Sequence, residues 1–265
     1  MGCTFFNYKG YFREQGFDSD LFGTAHIVFI VLAYVLTFLL SYLFRKARRR
    51  RIDTGLKILS IVMVVLEITK ITWESYFDIK SGAGFNWFGL LPIYTCSLFI
   101  YTLVPAAWGR GRVREYCLSF ITTISLLYGA IGVVYCNGLN FYPFWTFGAF
   151  YSLFFHTTMF ATGVFLLMTG YVRLRWIDAL RTMLPILLLS AAAIPVNHLL
   201  GSDYMLLYSG SGVPLYENLA ARLASMGLRF VYTVIMLLTH IPLALAVIAI
   251  YKGIAAIAGR KKSAP

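Results

Sequence analysis

The fold class predicted is all-α: a polytopic membrane protein built as a bundle of about seven transmembrane helices. Three observations predict it. Of 265 residues, 59% are hydrophobic and only 13% are charged. The apolar residues fall into runs of about 20, the length a helix needs to cross about 30 Å of hydrocarbon. The basic residues gather in alternate gaps between those runs, as cytoplasmic loops do. A mean hydropathy of +0.73 exceeds what a soluble domain of this length hides from water. The formal charge of +12 punctuates apolar runs instead of lining one groove-facing element, so nucleic acid is excluded as a partner.

The runs lie at Thr24 to Phe44, Leu56 to Phe77, Phe88 to Trp108, Tyr116 to Cys136, Thr146 to Gly170, Leu180 to Leu199 and Leu228 to Tyr251. The first gap between runs holds Arg45, Lys46 and Arg48 to Arg51. The third holds Arg110, Arg112 and Arg114, the fifth Arg173, Arg175 and Arg181, and the tail Lys252, Arg260, Lys261 and Lys262. The opposite side carries Lys9, Arg13, Lys80, Arg222 and Arg229. This asymmetry predicts the N-terminus outside and the C-terminus in the cytoplasm.

The domain organisation that follows is an extracytoplasmic segment over residues 1–23, a transmembrane domain over 24–252 and a basic cytoplasmic tail over 253–265. Near 210–227, Leu215, Leu219, Leu223 and Met226 recur at helical spacing and predict an external amphipathic helix. The start has no basic region followed by an apolar one, so no cleavable signal peptide is expected. No internal repeat of the transporter kind is present.

Ionisable groups within a bilayer cost a few kcal/mol each and normally face the bundle interior. Glu67, Lys70 and Glu74 share one face of the second helix, with Lys70 able to pair with either acid. At 1.5 Å rise per residue, Tyr94, Thr95 and Cys96 lie roughly 10 Å below the outer edge. His156 falls about a turn deeper. Asn197 and His198 end the sixth helix at the outer face, Asp203 and Tyr204 follow, and His26 begins the first helix there. Polar chemistry is therefore expected in the outer half. Pro92 and Pro195 each remove an intrahelical hydrogen bond toward that same half, opening a cavity or only a kink.

A nucleophilic cysteine needs a base and a donor for the developing oxyanion. Cys96 with His156, and Asn197 or Tyr94 as donor, contain those parts; a lone cysteine on an apolar helix also serves simply as a small core residue. Cys117 and Cys136 read as packing, and His240 as a helix-to-helix hydrogen bond. No metal site is signalled by the histidines, since no HxH or HxxxH spacing occurs, and no cofactor motif is present.

The segments Leu91-Pro-Ile-Tyr-Thr-Cys96-Ser97, Phe154-Phe-His156 and Asn197-His-Leu-Leu-Gly-Ser-Asp-Tyr204-Met205, with His26 ahead of them, resemble in order and spacing the YwaF-like membrane proteins of bacteria. The resemblance runs from His26 to Leu206. The chain departs from that family's frequent Leu-Pro-Leu-His-Leu-Cys by placing Tyr94 where the histidine would stand, and from its Lys-Pro and tryptophan-rich pattern after Tyr204. That family is similar to a eukaryotic transmembrane acyltransferase that builds polyunsaturated ether phospholipids through a cysteine acyl-enzyme. The resemblance implies Cys96 as nucleophile, His156 as its base, a pocket open to lipid and a bacterial plasma membrane location.

Three functions are compatible with these residues. A lipid acyltransferase uses Cys96 and His156, with membrane lipids as partners and an acyl-lipid as substrate. A transporter or channel uses Glu67, Lys70, Glu74 and His156 as an ion path. A non-catalytic lipid binder needs neither set. The sequence sets no oligomeric state.

Overall fold

The computed structural model describes residues 4–80, 91–210 and 212–260, and among them all regular structure is helical. The elements are α1 (Lys9–Glu14), α2 (Thr24–Leu43), α3 (Arg49–Lys80), α4 (Leu98–Trp108), α5 (Gly111–Phe120), α6 (Leu126–Val134), α7 (Phe147–Met168), α8 (Asp178–Arg181), α9 (Met183–Leu200), α10 (Pro214–Ser225), α11 (Arg229–Leu238) and α12 (His240–Arg260). A π-helical turn, Ile121–Ser125, joins α5 to α6.

Five stretches are long and apolar enough to cross a membrane among the described residues: Thr24–Leu43, Gly111–Asn140, Phe147–Met168, Asp178–Leu200 and Arg229–Ile257. Two of the seven expected spans differ. The second, α3, has the length, 32 residues, but carries arginines at its start and the Glu67, Lys70, Glu74 set beyond its middle. The third, expected from Phe88, is helical only over the eleven residues Leu98–Trp108; residues 88–90 of that expectation lie outside the described ones. Pro92 interrupts the run at Leu91, since it has no N–H and holds the residue before it away from helical ψ, and the chain turns through residues 94–97 before the helix begins. Pro92 precedes the helix and kinks nothing, whereas Pro195 lies inside α9 and Pro105 inside α4.

The chain forms two compact units, residues 1–90 with 125–172, and residues 91–124 with 173–265. In the first, α7 packs against α6, α2 and α3. Its described core contains Cys136, Leu139, Tyr142, Ala149 and Leu153, joined by Phe12 from the N-terminal segment. That segment is fastened by aromatic contacts: Tyr8 stacks on Phe77 and meets Trp73 edge-on, and Trp73 Nε1 donates to the Phe6 carbonyl at 2.8 Å. Asp20 accepts from Phe144 N at 2.7 Å.

Burial follows the logic of a lipid solvent. On α2 the buried residues are His26, Ala33, Thr37 and Ser41, small or polar, while Ile27, Val31, Leu32, Val35 and Leu39 are exposed. Hydrocarbon tails solvate leucine as well as a protein core does, so small residues go inward, where they permit close helix approach.

In the second unit α5 packs against α4, α8 and α9, α12 against α8 and α11, and α10 against α11. The polar centre of this packing is Asp178, 4% exposed, which accepts from Ser119 Oγ at 3.2 Å, Arg175 N at 2.7 Å and Arg181 Nη1 at 3.1 Å. Thr123 and Thr182 hydroxyls pair at 2.9 Å beside it.

Candidate functional site

The first unit holds His156, His26 and the acid and lysine set. His156 stands on α7, and its Nδ1 lies 2.8 Å from the Ser152 carbonyl, one turn back. A carbonyl only accepts, so Nδ1 carries the proton and the neutral ring keeps its lone pair on Nε2. No donor among the described residues reaches that nitrogen. The ring lies directly on Gly132 of α6: a β-carbon there would come within 2.6 Å of Cγ and 2.7 Å of Nε2, and closer still to Cδ2. Gly129, one turn earlier, is as tightly covered by the α7 backbone, at 2.5 Å from Phe160 N. Two glycines at i and i+3 let α6 and α7 approach closely, and the imidazole occupies the space that the second one leaves. Ser152 also accepts, through Oγ, from the buried Cys136 thiol at 3.2 Å.

His26 is differently engaged. Its Nδ1 accepts from Phe22 N at 3.0 Å and its Nε2 is 2.9 Å from the Val133 carbonyl, so both nitrogens are used and the side chain is fully buried. It fastens the start of α2 to the end of α6. Phe22, held by that bond, has φ +61°, uncommon for a bulky side chain.

Glu67, Lys70 and Glu74 are sorted by partner. Lys70 Nζ pairs with Glu74 at 2.9 Å, and buried Glu67 takes a short hydrogen bond from the Tyr151 hydroxyl of α7. Tyr151 also presents its ring to Lys70, with Nζ 5.8 Å from the centroid. Sequence reasoning missed Tyr151, which sits in an aromatic-rich helix with nothing to single it out.

The second unit holds Cys96, Tyr94, Asn197, Asp203 and Tyr204. Cys96 lies in the turn before α4 and is partly exposed, whereas the other described cysteines, Cys117 and Cys136, are buried. Its carbonyl accepts from Phe99 N at 3.0 Å, in the turn that leads into α4. Tyr94 meets Tyr204 edge-on at 4.9 Å between centroids. Asn197 is committed to the loop after α9: Oδ1 accepts from Tyr204 N at 2.7 Å and Ser202 Oγ at 3.1 Å, while Nδ2 donates to the Tyr204 carbonyl at 3.0 Å. Asp203 accepts from Tyr208 N at 2.7 Å, Ser209 N at 3.0 Å and Ser209 Oγ at 3.0 Å. These bonds hold Met205 and Leu206 at φ +59° and +56°, left-handed values that cost of order 1 kcal/mol or more each for non-glycine residues. Burial, with Tyr94 adding to it, pushes the Tyr204 hydroxyl up to about 12.

The structure thus brings Glu67, Lys70 and Glu74 together in one unit and Tyr94, Asn197, Asp203 and Tyr204 in the other; His156 belongs to the first unit and Cys96 to the second. Among the described residues no group of three His, Cys, Asp or Glu side chains is arranged to hold a metal ion.

Apolar helices with lipid-facing leucines and inward small residues, and polar side chains kept within the helix packing, define an integral multi-pass membrane protein. The chain belongs to the TMEM164 family, whose model matches residues 21–252. Neither curated proteins nor solved structures give a match to it.

Proposed function

We propose that the protein transfers acyl chains between lipids through a thioester on Cys96, with His156 as general base, in a bacterial plasma membrane. His156 Nε2 takes the thiol proton, and Cys96 Sγ attacks the ester carbonyl of a phospholipid acyl chain. The C–S bond forms, the C–O bond to glycerol breaks, and His156 returns the proton to the leaving alkoxide. In the second half an acceptor hydroxyl gives its proton to His156 and attacks the thioester. The C–S bond then breaks, and the proton passes back to the thiolate. Tyr94, two residues before Cys96, supplies the oxyanion donor.

The observation that carries this reading is the state of His156: Nδ1–H held by the Ser152 carbonyl, Nε2 left with its lone pair. That is the tautomer a general base requires. The partly exposed Cys96 in the turn before α4 and the resemblance of the Cys96, His156 and Asn197 segments to the YwaF-like proteins support it. The acid and lysine set supports an ion path less well, because Glu74 is neutralised by Lys70 and Glu67 is bound by Tyr151.

The test is to incubate the full chain in vesicles with a phospholipid carrying an alkyne-tagged acyl chain and to map hydroxylamine-sensitive adducts by mass spectrometry. Loading at Cys96 is expected, absent in Cys96→Ala and slowed about a hundredfold or more in His156→Ala. Equal labelling of Cys96→Ala would end the proposal.

A further inference from the structure

A cavity of about 550 Å³ opens between α5 and the α8–α9 segment of the second unit. Arg112, Glu115 and Tyr116 line it from α5, at i, i+3 and i+4, and Leu180, Arg181 and Leu184 from the other side. It lies at the arginine-rich end of these helices. Trp176, two residues before α8, is exposed with Lys252 Nζ 5.5 Å from its ring centroid, the kind of aromatic that marks headgroup depth. Leu180 and Leu184 are exposed along the span Asp178–Leu200. One wall is therefore suited to an acyl chain and the other to a polar head.

The charges decide which head. Arg181 is already shared between two carboxylates, Asp178 at 3.1 Å and Glu115 at 3.4 Å. Arg112 makes no ion pair among the described residues. Glu115, 54% exposed, engages only Oε2 through its side chain. Of the charged groups lining it, Arg112, Arg181 and Glu115, Arg181 is balanced from behind by the buried Asp178, which leaves Arg112 and Glu115 as one positive and one negative group facing the cavity. An anionic head would satisfy Arg112 and leave its phosphate against Glu115. A head carrying phosphate and ammonium together satisfies both. A quaternary ammonium has no N–H to give a carboxylate, so a primary amine fits better.

We infer that this cavity holds a zwitterionic phospholipid with a primary amine, its phosphodiester on Arg112 and its ammonium on Glu115. The site is separate from acyl transfer, and its lipid serves as a bound structural or regulatory lipid.

The full-length protein, delipidated in mild detergent, is offered phosphatidylethanolamine, phosphatidylcholine and phosphatidylglycerol of identical chains, and retained lipid is read by native mass spectrometry. Wild type should retain phosphatidylethanolamine about fivefold over the other two, the scale of one partly exposed charge pair. Arg112→Gln should lose most retention, and Glu115→Gln should erase the preference over phosphatidylglycerol. Cys96→Ala should leave retention unchanged, which separates this site from the thioester chemistry. Should Glu115→Gln melt early, Leu180→Trp, which fills the exposed wall, should abolish retention in its place. Equal retention of phosphatidylglycerol by wild type, unchanged retention in Arg112→Gln or Leu180→Trp, or displacement by chain-free glycerophosphoethanolamine at equal concentration would each overturn the inference.

Discussion

Gly132→Ala is the substitution whose effect is most closely fixed by the structure. In an unobstructed helix the change gains up to about 1 kcal/mol. Here the new methyl would meet the His156 ring, 2.6 Å from Cγ and 2.7 Å from Nε2. The ring cannot withdraw without giving up its 2.8 Å bond to the Ser152 carbonyl. Overpacking of this kind costs about 1–3 kcal/mol, and the lost hydrogen bond about 1 kcal/mol more. After the helix gain, a net loss of about 1–3 kcal/mol is expected. Thermal unfolding in detergent, read as a double-mutant cycle with His156→Ala, isolates the contact. With the ring removed, Gly132→Ala should cost nothing, giving a coupling of about 2 kcal/mol. Gly129→Ala is the control, because its methyl would strike Phe160 N at 2.5 Å and the His156 carbonyl at 2.9 Å, backbone atoms that His156→Ala retains. It should destabilise without coupling. Additivity of Gly132→Ala with His156→Ala within about 0.5 kcal/mol would refute the claim that Gly132 seats the imidazole.

Three further outcomes are expected. Tyr151→Phe leaves the buried Glu67 carboxylate without its hydroxyl donor and should lower stability by about 2 kcal/mol, part of which returns when Glu67→Leu is added, as thermal unfolding of the single and double variants will show. Asn197→Ala removes three hydrogen bonds from the loop after α9 and should cost about 2–4 kcal/mol, with faster proteolysis between Gly201 and Ser209 as the readout. Tyr204 is neutral at physiological pH, and its folded value stands above the ordinary 10.0 at about 12, so the folded state holds that proton more tightly and stability falls as pH rises from 10 toward 12. Tyr204→Phe should flatten that part of an alkaline unfolding profile.

Much of the helical order was legible because apolar run length is a one-dimensional signal. Thr24–Leu43 and Phe147–Met168 were read within two residues at either end. The expected third span failed at Pro92, where hydropathy continued but helix geometry did not. The acid and lysine set was legible as one face of α3, yet its division was not, because the residue that decides it, Tyr151, lies 84 positions from Glu67. Gly132 carried a faint signal in its spacing from Gly129. What sits on it depends on how α6 meets α7, which periodicity does not report. Asn197 was legible as a polar residue at the outer end of the sixth helix and a candidate oxyanion donor but not as a loop fastener, since its partners depend on the left-handed turn at Met205 and Leu206.

A criterion for function emerges from how this chain uses polarity. In a lipid solvent every buried polar group must be satisfied within the protein, so most of those prominent in the sequence are fasteners. His26 ties α2 to α6 with both nitrogens, Asn197 and Asp203 hold one loop, and Glu74 is matched by Lys70. His156 differs from His26 at a single atom. One nitrogen is bonded to its own helix, as a structural histidine's would be, and the other keeps an unused lone pair at a ring seated on glycine. His240 also bonds its own helix through Nδ1, at 3.1 Å from the Met236 carbonyl, so what sets His156 apart is its seat on Gly132. His156→Gln sharpens the distinction, since the amide can donate to the Ser152 carbonyl and approximate the volume but cannot accept and release a proton near neutral pH. If His156 is a fastener, the glutamine variant should match wild type in both stability and Cys96 acyl loading. If it is the base, stability should survive and loading should fall by the same hundredfold or so as in His156→Ala.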